Sequence, residues 1–256
     1  MRLADYVIKF LESKKINTVF TVSGGGSIFL CDALYKAKKI KYIPCHHEQA
    51  VSFATESYSR IKNKPGAAIV TTGPGGTNCS TGVACCWIDS VPALFISGQV
   101  FSNQTIGNSG VRQIGVQEFD IINMIKSSTK YCVMIKKPEE IKYHLEKAYY
   151  LSTHGRPGPV WIDIPANVQN ANINEKKLKG FKPKKIKKNN ILLDKKIKKI
   201  AQMLAKSSRP VLHIGHGVKI AKGEKYLKKI INKYNLPFAL TWNASDLIES
   251  DHNSYI

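Results

Sequence analysis

A doubly wound, parallel α/β sheet, followed by the first part of a second, incomplete α/β unit of Rossmann-like character, is the fold class that the sequence predicts. Three observations lead there. Helical and strand periods alternate from the first residue to about position 164, which is the pattern of a parallel sheet flanked by helices. The expected strands are short, apolar and bounded by glycine or polar turns, as strands buried on both faces must be. The chain has 256 residues, more than one average domain and fewer than two full ones.

Leu3, Tyr6, Val7, Phe10 and Leu11 recur at helical spacing, and residues 17–22 then read as a buried strand that runs into Gly24-Gly25-Gly26. A helix is expected over 27–36, an extended segment over 41–45, and a second helix over 48–61. Next come a strand over 67–71, a helix over 77–90 and a strand over 93–97. The polar, glycine-containing stretch 102–114 reads as a loop. Beyond it the pattern predicts a short helix over 119–125, a strand over 131–135, a helix over 138–152 that starts on Pro138, and a closing strand over 160–164. These elements assign 1–168 to one domain. The polar, lysine-rich segment 169–190, with Pro183 inside it, reads as a linker. Residues 191–256 then begin a second domain with a helix over 191–206, a strand over 210–214, a helix over 223–234 and a strand over 237–240. Two parallel strands leave a sheet face and both edges open, so this unit is expected to continue past Ile256 or to be completed by a partner.

Composition narrows the function. Hydrophobic residues make up 43% of the chain and charged residues 22%, and no stretch has the eighteen or so consecutive apolar residues of a membrane span. Asp5 interrupts the place where a secretory leader needs its apolar stretch, so a cytoplasmic protein with no membrane partner is expected. The six cysteines form no C-x-x-C pair and no cluster with histidine, which speaks against a zinc site or a disulfide framework and for buried thiols. Cys45 stands out for lying three residues before Glu48. The net charge of +21 raises nucleic-acid binding as a function of another class. Much of the excess sits between Lys176 and Lys199, however, in paired lysines with few arginines or aromatics, the composition of a solvated linker rather than of a specific reader.

Two segments can carry chemistry. Cys45-His46-His47-Glu48-Gln49-Ala50 follows a strand and opens a helix, the place where open parallel sheets hold ligands. A carboxylate in the first turn of a helix is stabilised by the helix dipole, so Glu48 is either a helix cap or a functional acid. The neighbouring His46 and His47 point to opposite faces if extended, which disfavours a shared metal. Thr71-Thr72-Gly73-Pro74-Gly75-Gly76-Thr77-Asn78 also leads from strand to helix. Its glycines allow close backbone approach, yet the lysine of a P-loop is missing. Gly24-Gly25-Gly26 lacks the G-x-G-x-x-G spacing of a dinucleotide turn.

In their order, these segments resemble one family. Gly24-Gly25-Gly26, Asp32-Ala33-Leu34, His47-Glu48-Gln49, Thr72-Gly73-Pro74-Gly75-Gly76-Thr77-Asn78, Asp89-Ser90-Val91-Pro92, Gln117-Glu118-Phe119-Asp120 and Gly155-Arg156-Pro157-Gly158-Pro159-Val160 are similar to the motifs of thiamine-diphosphate enzymes of the acetolactate synthase type. The likeness extends to Thr241-Trp242-Asn243 and Asp246-Leu247-Ile248. It implies a thiamine-diphosphate-binding fold whose first domain holds the aminopyrimidine ring, with Glu48 as the catalytic acid on ring nitrogen N1′. Pro74 and Asn78 match positions lining the pyrimidine pocket, Gly25 matches the glycine turn near the reaction centre, and Gln117 matches a glutamine facing cofactor or substrate. Each also has a structural reading: a turn for Pro74 and the glycines, a helix cap for Asn78, a surface position for Gln117.

The resemblance further implies decarboxylation of a 2-keto acid such as pyruvate, with transfer of the acyl fragment to an acceptor. A simple decarboxylase or an oxidase of the same family is the alternative. It implies a homo-oligomer with the site between subunits, and Mg2+ held by a Gly-Asp-Gly…Asn segment that this chain does not contain. FAD, which some members carry in the central domain, stays undecided. Val22-Ser23-Gly24-Gly25 stands where the family commonly has Tyr-Pro-Gly-Gly, and Arg112-Gln113-Ile114-Gly115-Val116-Gln117 replaces a shorter, Phe-containing approach. Both departures point to a different acceptor.

Overall fold

The computed structural model describes residues 1–184 and 190–256. It divides into two compact units, Met1–Pro183 and Lys184–Ile256.

In the first unit, six strands form one sheet: β1 (Thr18–Thr21), β2 (Lys41–Pro44), β3 (Gly66–Val70), β4 (Ala93–Gln99), β5 (Tyr131–Met134) and β6 (Pro159–Pro165). Their order across the sheet is β2-β1-β3-β4-β6-β5, and every pairing is parallel. Helix α1 (Leu3–Ser13) precedes β1, helices α2 (Ile28–Lys36), α3 (Glu48–Lys62), α4 (Pro74–Thr77), α5 (Ser80–Ile88), α6 (Ile121–Ile125) and α7 (Ile141–Thr153) lie between the strands, and α8 (Ala166–Gln169) follows β6.

Alternate strand residues serve opposite faces, as the two-residue period requires. Val19, Ile69, Leu94, Ile96, Val160 and Ile162 join one core with α1, α2 and α7, while Phe20, Ala68, Val70, Phe95 and Trp161 join a second core with α3 and α5. The rings of Phe95 and Trp161 stack at 5.4 Å in that second core. The chain passes from β1 to β2 on one side of the sheet and then returns to place β3 on the other side of β1. This reversal makes the carboxyl ends of β1 and β3 the topological switch point, where such sheets bind ligands.

The strands lie where the apolar runs place them, but the helix expected over 77–90 differs. It begins a turn earlier, on Pro74, and divides into α4 and α5 around Asn78 and Cys79, where the Cys79 N–H bonds back to Gly76 O at 3.1 Å. Proline suits a first helical position because its missing N–H would have no helical partner there.

Past residue 168 the chain stays against the first unit. Asn172 bridges Arg2, Ile173 and Leu178 are buried in the first core, and the Phe181 N–H donates to Glu146 Oε2 at 2.7 Å. The part of the expected linker at 185–189 lies outside the described residues.

The second unit contains α9 (Asn190–Lys206), β7 (Leu212–Ile214), α10 (Gly217–Ile220), α11 (Glu224–Tyr234) and β8 (Phe238–Leu240). Strands β7 and β8 pair in parallel, and a parallel bridge from Phe238 to Tyr255 continues the sheet on the far edge of β8. Its small core gathers Ile214, Ile231, Phe238, Leu247 and Ile248, whereas α9 buries none of its residues.

Candidate active site at the switch point

The β2 strand ends at Pro44, and three residues later His47 caps α3. Its backbone is extended, and its Nδ1 accepts the Gln49 N–H at 3.1 Å. That nitrogen is thereby used for a free helix-end donor, a role normally filled by Ser, Asp or Asn. Glu48 becomes the first residue of α3, where the unpaired amides and the helix dipole favour a carboxylate.

Asn78, just after α4, donates from Nδ2 to Glu48 Oε2 at 2.9 Å, and the Cys79 thiol reaches the Glu48 carbonyl at 3.4 Å. These contacts join the loop after β3 to the loop after β2. Burial raises the Cys79 thiol far above its ordinary range, and the Glu48 carboxylate adds to that shift. Glu48 Oε1 has no hydrogen-bond donor among the described residues. It lies beside Gly75, where an added Cβ would stand 3.7 Å from it.

Pro74 opens α4 at an exposed position. Gly25 is exposed as well, with open space where a side chain would go. Its turn is anchored by the Gly26 N–H, which donates to Thr71 Oγ1 at 3.0 Å. Gln117 is exposed and has a left-handed backbone, with φ +57. Its carbonyl lies against Gly73, the residue before Pro74.

Glu48 and Asn78 thus meet directly, the Pro74 carbonyl accepts the Asn78 N–H at 2.9 Å, the turn carrying Gly25 is linked to this place through Thr71, and Gln117 adjoins the second turn by its backbone. No described hydrogen bond links the Gln117 side chain to Glu48.

Two further groups shape this place without having been singled out as site residues from the sequence. Thr71 sits between the turns: a Cβ on Gly24 would come 2.6 Å from its side chain, and one on Gly75 2.7 Å from its Cγ2. A β-branched residue at a strand end, just before a glycine turn, was the available signal. The second group is a buried network. The Thr72 hydroxyl donates to Gln99 Oε1. Gln99 Nε2 donates to Asp163 Oδ2 at 3.1 Å and to Phe119 O at 3.0 Å, and the Ser97 hydroxyl donates to Asp163 Oδ1 at 2.6 Å. Gln99 therefore ties the turn carrying Pro74 to the loop carrying Gln117. Full burial pushes the Asp163 carboxyl up to about 7, with the Ser97 and Gln99 hydrogen bonds pulling the other way. Nothing in local sequence marks this network, because its members are distant along the chain.

Of the six cysteines, Cys79 and Cys86 are buried and the other four partly so, all with free thiols. Among the described residues, no helix is long and apolar enough to cross a membrane.

Residues 1–124 match the model of the thiamine pyrophosphate enzyme N-terminal TPP binding domain, and residues 197–256 match that of the thiamine pyrophosphate enzyme central domain. Among curated proteins, a probable acetolactate synthase large subunit of Methanocaldococcus jannaschii is 34% identical over 98% of this chain and 42% of its own length. The acetolactate synthase isozyme 2 large subunit of Escherichia coli is 31% identical over 100% of this chain and 45% of its own length. The chloroplastic acetolactate synthase of Arabidopsis thaliana is 33% identical over 93% and 35%, respectively. The chain spans less than half the length of these relatives.

Proposed function

Because the chain belongs to the thiamine pyrophosphate enzyme family, two of whose domain models together match more than half of it, we propose that its first unit holds the aminopyrimidine ring of thiamine diphosphate against Glu48. In this reading it is part of an acetolactate synthase-like carboligase that decarboxylates a 2-keto acid such as pyruvate and passes the acyl fragment to an acceptor.

One observation supports this above the others. At the switch point, a carboxylate is fixed by a single donor, Asn78, while its second oxygen faces a glycine. A helix cap alone needs neither. The residues fit the ring: Gly75 lets the turn after β3 lie close to Thr71 and Glu48 with no side chain between them, and Glu48 Oε1 is left to meet a ring nitrogen.

When bound, thiamine diphosphate supplies an acidic thiazolium carbon and an electron sink for decarboxylation. The work of the chain's own residues is to place and tune it. Glu48 holds a proton at N1′, the task for which a carboxyl group beside a ring nitrogen is suited. Asn78 keeps Glu48 in one rotamer, so that little ordering remains when the ring arrives. Pro74 and Gly25 line the approach, and Gln117 faces the reacting end. Magnesium ligands are expected from another part of the family architecture, and the complete site from a homo-oligomer whose subunits share it.

The test is a titration of the purified full-length protein with thiamine diphosphate and magnesium, followed by a pyruvate decarboxylation assay, with and without Glu48→Gln. The variant is expected to fold normally and lose at least about a hundredfold in turnover, the scale of general acid–base catalysis. Equal turnover in the variant, or turnover indifferent to thiamine diphosphate, would falsify the assignment.

A further inference from the structure

A cavity of about 420 Å³ opens at the carboxyl ends of β4, β5 and β6. Its lining includes none of Gly25, Glu48, Pro74, Asn78 or Gln117, so it stands independently of the thiamine diphosphate reading. Its floor is polar and buried: Gln99, Glu118 and Asp163 are 2%, 8% and 1% exposed. Ile106, Ile122 and Met134 supply apolar wall, and the exposed Asp120 and Lys136 stand at its mouth.

Three carboxylates line this space, and two of them are fully engaged. Asp163 accepts from Ser97 and Gln99. Asp120 caps α6, accepting from the backbone and side-chain amides of Asn123. Glu118 accepts the Ile106 N–H on Oε1 at 3.1 Å, but its Oε2 is buried with no donor among the described residues. Leaving such an atom unsatisfied is costly, more so for a charged group. The missing partner must be a donor, and the excess of acids over the single Lys136 favours one with positive charge.

A bare ion does not fit these facts. Among the described residues, no group of three or more His, Cys, Asp or Glu is arranged to hold a metal. The volume is also that of a small-molecule pocket, many times the roughly 30 Å³ occupied by one water. The apolar wall calls for an apolar body attached to the charge. We propose that this cavity binds a small organic ammonium ion, whose N–H group donates to Glu118 Oε2 while its hydrocarbon part packs against Ile106, Ile122 and Met134.

Calorimetric titration of the full chain with n-butylammonium chloride at about pH 8, where an alkylamine is charged, tests this directly, with n-butanol as the uncharged control. Saturable binding is expected for butylammonium, with butanol weaker by about tenfold or more, as is usual when a charged hydrogen bond is lost. Glu118→Gln should weaken butylammonium by a similar factor. Lys136→Ala, at an exposed position, should tighten it about two- to threefold by removing a repelling charge, and this arm stays informative if Glu118→Gln fails to fold. No saturable heat, equal binding of butanol, unchanged affinity in Glu118→Gln, or no tightening in Lys136→Ala would each overturn the proposal.

Discussion

Gly73 and Gln117 both adopt left-handed backbone, at φ +58 and φ +57, and meet so closely that a Cβ on Gly73 would lie 2.1 Å from the Gln117 carbonyl oxygen. Two segments 44 positions apart are thus locked together by the absence of one methyl group. Gly73→Ala is expected to lower unfolding free energy by about 2–4 kcal/mol, combining backbone strain with overpacking. Gly25→Ala, where the added atom meets nothing, should stay within about 0.5 kcal/mol of the parent. Urea unfolding of the two variants side by side checks the contrast, and similar losses at both positions would contradict it.

Asn78 acts through Glu48. Removing its donor with Asn78→Ala should cost about 1 kcal/mol of stability or less, since the pair is only partly buried. Thiamine diphosphate binding by the full-length protein should weaken by about tenfold, equivalent to about 1.4 kcal/mol. Equilibrium binding with fluorescence or calorimetric detection separates the two effects. A loss of stability with no loss of cofactor affinity would reduce Asn78 to a helix-end residue.

Asp163 sets a pH dependence with a definite sign. Its folded pKa is raised by burial from 3.8 to about 7, helped by nearby Asp120 and Glu118 and opposed by hydrogen bonds from Ser97 and Gln99. Below 3.8 both the folded and unfolded forms carry the proton, so the contribution to stability is complete there. As pH rises toward 7 the unfolded chain ionises first, and stability falls by about 1.4 kcal/mol per pH unit at most before levelling off. Unfolding curves between about pH 4 and pH 8 should show this slope reduced in Asp163→Asn relative to the parent. Asp5 and Asp32, whose pKa values are lowered by Arg2 and Lys36, act in the opposite sense at more acidic pH, outside that window. Parallel curves for the two proteins would contradict the assignment.

The thiols of Cys79 and Cys86 are held well above their ordinary range by burial, and the thiolate is the reactive form. Alkylation by iodoacetamide in the native chain should be slower at these two positions than in urea by about a hundredfold or more. Mass mapping of the labelled cysteines checks this, and rapid native labelling of Cys79 would show that the packing between α4 and Glu48 opens freely.

The buried strands were legible because their residues serve local geometry and burial together. Val19 and Phe20, or Phe95 and Ile96, must point to opposite faces of the sheet, and a run of apolar residues satisfies both. Glu48 could be located by its place between a strand and a helix. The division of α4 from α5 was harder to see, because it depends on Gly75 and Gly76 packing against Thr71 and Ile121, neighbours that helical periodicity does not encode. Residues 169–183 have a polar composition, yet burial of Ile173 and Leu178 in the first core, with the Asn172 bridge to Arg2 and the Phe181 hydrogen bond to Glu146, holds this stretch against the first unit.

From the sequence alone came the alternation of strands and helices, the family motifs and the position of the acid, since all three are written in short runs whose meaning survives without a partner. Tertiary structure decided which of those runs meet. The pairing of Asn78 with Glu48, the place of Thr71 between two glycine turns, the Gln99–Asp163 network and the unpartnered oxygen of Glu118 all join residues far apart along the chain. Such contacts depend on distances and on the removal of water, and both arise only when the sheet order brings separate strand ends to one edge.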